Sequence, residues 1–428
     1  MRTVFRRVKE SLFTIPALIV LACMGAAFGA LYLDATFADS LENWPIVLGT
    51  TVAGGRAVLT TIASATITVA AIVFSITALS TQMAASQYSP RVLGGFFEDS
   101  FQQAVIGLIV GTFLYALVVL ASVSSAIIDG GVEATPSISV TVALVLGVVS
   151  AISIVWYINR SLRRMQIDSV VRRIAGASLK AIDRYLDSDG DGKSVDVSST
   201  PTPEGSSSVI HSTAGGWVTQ IDAERALAAL PPSSLARIDV TVGDAISKDD
   251  RIATIWPDPG EDWSGVSQVR RSIITASERS LELDPTFGIR QLVDIALRAL
   301  SPGVNDPTTA VDVIFHLKTP VRKILLAEAP RRVFAGEEGR RVFLAETPGR
   351  TEYIHDAFSE IRLAASGQPH VLNSLIEVLT DLKSDLERAE LSGRRSAVEE
   401  ELELTVELAR HSRFPEADLR RVLKYYEP

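Results

Sequence analysis

Four long apolar segments occupy the first 160 residues of the chain, and the rest of the chain is largely polar and charged. None of the four contains an acidic, basic or histidine residue. A helix needs about 20 apolar residues to cross a hydrocarbon core, and each segment reaches that length. The pattern predicts a membrane α-helical domain at 1–160, with four transmembrane helices at about 12–33, 57–83, 104–128 and 137–158.

The polar part of the chain predicts an α+β region. Residues 161–206 have the pattern of a juxtamembrane helix followed by a linker, and 207–260 alternate in the manner of a small β-barrel-like module. A module of this pattern resembles the barrel-sandwich fold of lipoyl-type domains, although no lysine occupies the place of the modified lysine. Residues 261–428 predict a mainly helical domain that ends in a helical C-terminal bundle.

Basic residues mark the predicted cytoplasmic side. They precede the first span and follow the second and fourth, whereas acidic residues dominate the alternate loops. Because loops rich in Lys and Arg stay inside, both termini are predicted to be cytoplasmic, in a multi-pass protein of the bacterial cytoplasmic membrane. The first apolar segment is longer than a signal-peptide core and is interpreted as a membrane anchor.

Composition excludes several classes of function. The net charge of −9 argues against a nucleic-acid partner, which would need a basic surface. Cys23 is the only cysteine, and the five histidines are scattered, so no metal site or cofactor is predicted. No phosphate-binding loop, nucleophile elbow or dinucleotide motif occurs, and we therefore expect no enzyme activity.

The second span carries many hydroxyl groups, including those of Thr61, Ser64, Thr68 and Ser75. One interpretation is a wet surface that lines a pore or cavity, where hydroxyl groups replace part of an ion's hydration. The other is packing between helices, since Ser and Thr also bond the carbonyls of the preceding turn. Buried charges typical of coupled transporters are missing from all four spans.

Two pairs of glycines spaced four apart lie in the spans, Gly25 with Gly29 and Gly107 with Gly111. Small residues at this spacing let two helix backbones approach closely. Packing within one chain is the favoured interpretation, and a contact between subunits is the alternative.

Two further segments carry local signals. Residues 83–102 predict a short helix in the membrane interface, because Pro90 is followed by an apolar face. Residues 187–207 begin like a calcium-binding loop, but Ser198 stands where the loop needs a glutamate. We interpret this second segment as a solvated linker.

Asp284 and Asp306 each precede a proline and predict two helix starts, separated by a tight turn. Free amides at the second helix start, together with nearby arginines, suggest an anion or ligand site. The alternative is a helix–turn–helix with surface ion pairs. The candidate residues are Arg290, Arg298, Asn305 and Asp306. Asp312 and His316 are too few to hold a metal.

Three stretches carry a family resemblance: TVAAIVFSITALSTQMAASQYSPRVL (Thr68–Leu93), VGTFLYALVVL (Val110–Leu120) and DPTFGIRQLVDIALRALSPGVNDPTTA (Asp284–Ala310). Together they resemble a bacterial family catalogued only as a predicted membrane protein of unknown function. The resemblance covers nearly the whole chain, and it implies a four-span protein of the cytoplasmic membrane. It implies no activity and no catalytic residues.

Two functions fit these patterns. The first is a homo-oligomeric passive conduit in the lipid bilayer, lined by the second span and gated or assembled by the cytosolic domain. The second is a membrane-anchored sensor or scaffold, whose cytosolic domain binds a small ligand or a partner protein while the spans act as a tether.

Overall fold

The structure is a computed structural model, and it forms two units, Met1–Gln166 and Ile167–Pro428. We call them the membrane unit and the C-terminal unit. The residues that it describes are 14–37, 51–87, 100–128, 136–164, 166–187, 205–260, 263–328, 332–345 and 349–426.

The membrane unit contains four helices that are long and apolar enough to cross a membrane. All four predicted spans are therefore present, and each helix extends past its apolar core at one end or both. The helices are α1 (Thr14–Phe37), α2 (Val52–Gln87), α3 (Ser100–Ile128) and α4 (Ser137–Arg164).

Helix α3 packs against α1, α2 and α4 and supplies much of the membrane unit's core. Tyr115 and Ala116 are fully buried there, beside Leu59 of α2.

Gly107 and Gly111 face α1 so closely that a Cβ on Gly107 would lie 2.8 Å from the Pro16 Cα. This pair packs within the chain, as the sequence favoured. Added Cβ atoms on Gly25 and Gly29 meet nothing within 4 Å.

An acidic residue at the end of α1 caps the start of α4. Asp34 Oδ1 accepts a hydrogen bond from the Ile138 amide at 2.8 Å, and its Oδ2 accepts from the Ser139 amide at 2.9 Å. The Ser139 hydroxyl also donates to Oδ2, at 2.6 Å. Helix N-termini carry free amides and a partial positive charge, so this carboxylate satisfies groups that lipid would leave unpaired.

The C-terminal unit mixes eight strands with nine α-helices among its described residues. The strands are β1 (Ser208–His211), β2 (Gly216–Ile221), β3 (Leu235–Ile238), β4 (Ala245–Ile246), β5 (Arg251–Trp256), β6 (Ile273–Ala276), β7 (Val333–Ala335) and β8 (Arg341–Phe343). The helices are α5 (Ile167–Asp187), α6 (Ala223–Ala229), α7 (Val266–Ser272), α8 (Pro285–Ala299), α9 (Pro307–Leu326), α10 (Arg350–Ala364), α11 (Pro369–Arg388), α12 (Ser396–His411) and α13 (Glu416–Val422).

The strands form two open sheets, with the orders β1-β5-β3-β8-β7 and β4-β2-β6. Strand β8 pairs with β3 in parallel, and the other pairings are antiparallel. No closed barrel is present among the described strands. The sheets also take β6, β7 and β8 from beyond the module predicted at 207–260, because the core of buried side chains around Ile238 and Ile255 continues to Val342.

The helix starts follow the predicted caps. Asp284 accepts a hydrogen bond from the Phe287 amide at 3.0 Å, and Asp306 accepts one from the Thr309 amide at 3.1 Å. In each helix proline follows the cap, where its missing N–H costs nothing. Helices α8 and α9 pack on each other and on α5, so the helix predicted as a connector belongs to the core of the C-terminal unit.

Two sequence predictions lie outside the described residues. The helix predicted at the membrane interface falls largely within 88–99, and the segment 187–207 that resembles a calcium-binding loop falls largely within 188–204.

Candidate functional site

The four hydroxyl residues singled out in the second span lie on the outer face of α2. Thr61, Ser64, Thr68 and Ser75 are all exposed and point away from the core that α2 forms with α3 and α4. The first three line an open groove of about 850 Å³ along this face. The complete lining is Arg56, Ala57, Thr60, Thr61, Ser64, Ala65, Thr68 and Val69.

Three of the hydroxyl groups on this face already donate to carbonyl groups within the helix. Thr61 Oγ1 donates to the Ala57 carbonyl at 2.7 Å, and Thr68 Oγ1 donates to the Ser64 carbonyl at 2.8 Å. Ser75 Oγ donates to the Ala71 carbonyl at 2.9 Å. A hydroxyl that donates its proton keeps lone pairs that accept hydrogen bonds or face a cation. The outer face of α2 is thus a row of acceptors.

Other hydroxyl groups of α2 hold the membrane unit together. Thr66 is buried and donates to the Ile62 carbonyl at 2.7 Å. Thr77 Oγ1 forms a 2.6 Å hydrogen bond with the Tyr157 hydroxyl of α4. The helix therefore has hydroxyl groups of two kinds, one set that packs inward and one set that is exposed.

Arg290 of the predicted anion site is already paired with carboxylates. Its Nε lies 2.9 Å from Asp294 Oδ1, and its terminal nitrogens bond both oxygens of Glu360 on α10. Hydrogen bonding to Glu360 raises the pKa of Arg290. The guanidinium is thus engaged in the surface ion pairs that the alternative interpretation expected.

The start of α9 is occupied by its own cap. The carboxylate of Asp306 accepts from both the amide and the hydroxyl of Thr309, and Asn305 holds the turn with a φ of 47°. The Asn305 amide oxygen accepts from Gln368 at 3.3 Å. Arg298 is exposed on the opposite end of the turn. The anion site stays a prediction, and these bonds leave few free donors for it.

Two arginines that the sequence did not single out line a polar cavity in the C-terminal unit. Arg270 and Arg271 end helix α7 and face a cavity of about 360 Å³. Four hydroxyl residues share the wall: Ser212, Thr213, Ser267 and Thr275. A pair of adjacent arginines between two β patterns is the only trace of this site in the sequence.

Comparison with known proteins identifies relatives of similar sequence but no similar solved structure. The chain is 31% identical over 375 residues to Uncharacterized protein Mb1321c of Mycobacterium bovis, an alignment that covers 86% of this chain and 70% of the relative. Uncharacterized protein Rv1290c of Mycobacterium tuberculosis matches at the same identity and coverage. No solved structure matches the chain. The family model described as "Predicted membrane protein (DUF2254)" matches residues 9–381, and the chain belongs to that family.

Proposed function

We propose that this membrane protein assembles as a homo-oligomer around a passive conduit lined by the outer face of α2. The protein lies in the bacterial cytoplasmic membrane with both termini in the cytoplasm. The C-terminal unit, on the cytoplasmic side, assembles or gates the conduit.

One observation carries the proposal: the hydroxyl groups of Thr61, Ser64, Thr68 and Ser75 are exposed and are not used to pack the membrane unit. Against lipid, such groups gain nothing from their remaining lone pairs. Against water or a second copy of α2, they accept hydrogen bonds. The groove is largely open, and its eight lining residues all belong to α2.

The chemistry of the groove fits passive passage. Its eight lining residues include no carboxylate and no histidine, and Arg56 at one end is the single charged member. Coupled transporters bury ionisable groups as relays or counter-ions, and a hydroxyl-lined path has neither. Such a path lowers the dehydration cost of a small solute without binding it tightly.

The test is conductance of the purified protein in a planar bilayer. We expect discrete conductance from the wild type and its loss in the triple variant Ser64→Leu, Thr68→Leu and Ser75→Leu, because the leucines at 64 and 68 fill the groove and all three changes remove hydroxyl acceptors. A matched control changes two exposed apolar residues of the same helix, Ile67→Leu and Phe74→Leu, and should conduct as the wild type does.

The two outcomes separate the proposal from its alternative. Conductance that survives the triple variant at the wild-type level overturns the lining by α2. A wild type that is silent at every voltage removes the conduit and leaves the membrane-anchored sensor or scaffold. The arginine-lined cavity of the C-terminal unit favours that second function, because it is a concave site on the part of the chain that would meet a ligand.

A further inference from the structure

The cavity beside α7 is built from both sheets of the C-terminal unit. Strand β5 belongs to the five-stranded sheet, β4 and β6 belong to the three-stranded sheet, and α7 closes one side. Its volume of about 360 Å³ lies within the range of small-molecule sites. The lining residues are Ser212, Thr213, Ala214, Ile246, Ile252, Ser267, Arg270, Arg271, Ile273 and Thr275.

The cavity carries positive charge in an acidic chain. Its lining includes two guanidinium groups and no carboxylate, whereas the whole chain has a net charge of −9. Among the described residues, neither Arg270 nor Arg271 forms an ion pair. Because no described carboxylate pairs with them, the two adjacent guanidinium groups are available to bind an external anion.

Arg270 is held in place while its binding end stays free. Its Nε donates to the His211 carbonyl at 2.9 Å, and this bond orients the guanidinium without using its terminal nitrogens. Those nitrogens form the fork that matches two oxygens of an oxyanion. Arg271 lies one residue further along α7 and is exposed at the rim.

Hydroxyl side chains and an apolar floor complete the wall, and the hydroxyls of Thr213, Ser267 and Thr275 are the ones left to donate to an occupant. Ser212 is 93% buried at the end of β1, and its Oγ donates to the Ala214 carbonyl at 2.6 Å. Ile246, Ile252 and Ile273 are buried and give the cavity an apolar side. An occupant would therefore place its charge on the arginines and an uncharged part on the isoleucines.

We propose that this cavity binds a small phosphate monoester. A phosphate presents three terminal oxygens in a tetrahedral arrangement, which two guanidinium groups and several hydroxyls can share, whereas a carboxylate presents two oxygens in one plane. The apolar wall selects an ester with a compact uncharged remainder over the free ion. The site stands whether or not the membrane unit conducts.

Isothermal titration of the intact protein in detergent tests the site, in buffer free of phosphate and at fixed chloride. The probes are phenyl phosphate and inorganic phosphate. We expect phenyl phosphate to bind with a Kd below about 1 mM and several-fold more tightly than inorganic phosphate. Equal affinity for the two probes argues against an ester ligand, and no heat from phenyl phosphate at either of two temperatures overturns the site.

Substitutions assign the binding to the two arginines. Arg271→Gln should weaken phenyl phosphate binding about tenfold, because it deletes one set of charge-assisted bonds, and the double variant with Arg270→Gln should abolish it. Arg271 forms no hydrogen bond or ion pair with the described residues, so Arg271→Gln should leave the fold intact. That variant therefore tests the site even if Arg270→Gln unfolds the C-terminal unit. Arg225→Gln, an exposed arginine on α6, is the control and should bind as the wild type does. Wild-type affinity in Arg271→Gln overturns the proposal.

Discussion

Arg362 of α10 and Glu401 of α12 form an ion pair inside the C-terminal unit. Their side chains are 13% and 5% exposed, and Arg362 Nε lies 2.7 Å from Glu401 Oε1. Burial raises the pKa of Glu401, and the bond to Arg362 offsets only part of that effect. A carboxylate in this position depends on its partner, because removing one member of a buried pair leaves an uncompensated charge.

We expect Arg362→Met to destabilise the protein by about 3–5 kcal/mol at pH 8 and to lower its Tm by roughly 5–15 °C. A carboxyl whose folded-state pKa is raised contributes stability at low pH that is lost as the pH rises through that pKa. The variant raises the pKa further, so its deficit in Tm should grow from pH 5 to pH 8 in thermal scans of the intact protein.

An exposed pair provides the control for this experiment. Arg420 and Glu416 lie one helical turn apart on α13, and both are largely exposed. Arg420→Met should change the Tm by no more than about one degree at either pH, since exposed pairs contribute little. A deficit in Arg362→Met that shrinks with rising pH would contradict the role given to Glu401.

Helices α8 and α5 pack closely at Gly288 of α8, which leaves no room for a side chain. A Cβ at Gly288 would overlap the Ser178 hydroxyl and lie 2.8 Å from the Ser178 Cβ. We expect Gly288→Ala to cost about 1–3 kcal/mol, and adding Ser178→Gly should recover most of that loss. Denaturant or thermal unfolding of the intact protein measures both.

Gly176 offers a matched comparison on α5. A Cβ there meets nothing within 4 Å, and the residue lies inside a helix. Gly176→Ala should therefore be neutral or stabilise by about 0.5–1 kcal/mol, because alanine loses less backbone entropy in a helix. If Gly288→Ala is equally harmless, then the two helices can separate without penalty and the contact is not tight.

Residues with local effects were predictable, and residues with distant partners were not. Asp284 and Asp306 cap helices through amides three positions away, so the sequence located both. The main partner of Arg290 is Glu360, 70 positions later, and no local pattern reports it. The same reason hid the cavity of Arg270, whose anchoring carbonyl on His211 is 59 positions away.

Membrane helices were the elements that the sequence determined best. An uncharged run long enough to cross the bilayer core must form a helix, because only a helix satisfies all the backbone hydrogen bonds of a single segment in lipid. The short strands were the least predictable. Strands β7 and β8 have three residues each, too few for alternation to show. Strand β8 joins the sheet by pairing with β3, about 100 positions earlier, and β7 pairs with β8. For this reason the sequence predicted a barrel-like module where the structure has two open sheets.

The link between α1 and α4 yields a prediction for the membrane unit. Asp34→Ala removes three hydrogen bonds, two of them to the amides that begin α4. We expect a loss of about 2–4 kcal/mol, seen as a lower Tm in detergent, because a charged acceptor at a helix start is worth more than a neutral one. Thr36→Ala alters an exposed hydroxyl on the same helix and should leave the Tm unchanged. An unchanged Tm in Asp34→Ala would show that water replaces the carboxylate.

The whole molecule is a membrane protein of two units, and the division after residue 166 falls close to the limit of 160 predicted from hydropathy. What the sequence could not show is which side of α2 faces the other helices, because its hydroxyl groups occur all round the helix. The structure separates them: Thr66 and Thr77 are inside, and Thr61, Ser64 and Thr68 are outside.

Cross-linking tests whether the outer face of α2 meets a second copy. Cys23 is buried and is the only cysteine, so Cys23→Ser gives a background without thiols. In that background Thr68→Cys should form disulfide-linked dimers under mild oxidation in native membranes, because the proposed conduit places the groove against a symmetry mate. Ile152→Cys, 65% exposed on α4, is the control and should remain monomeric. Equal cross-linking at both positions would indicate random collision.

The bonds of Asp34 also constrain how the protein is made. Helix α1 leaves the ribosome first, but its carboxylate meets its partners only when α4, the last of the four apolar helices, has entered the bilayer. Until then the nascent chain carries, at the membrane boundary, a carboxyl group that lacks its hydrogen-bond partners. We expect truncations that end before Ser137 to be recognised by membrane quality control and degraded faster than the same truncations with Asp34→Asn, as pulse-chase labelling would measure.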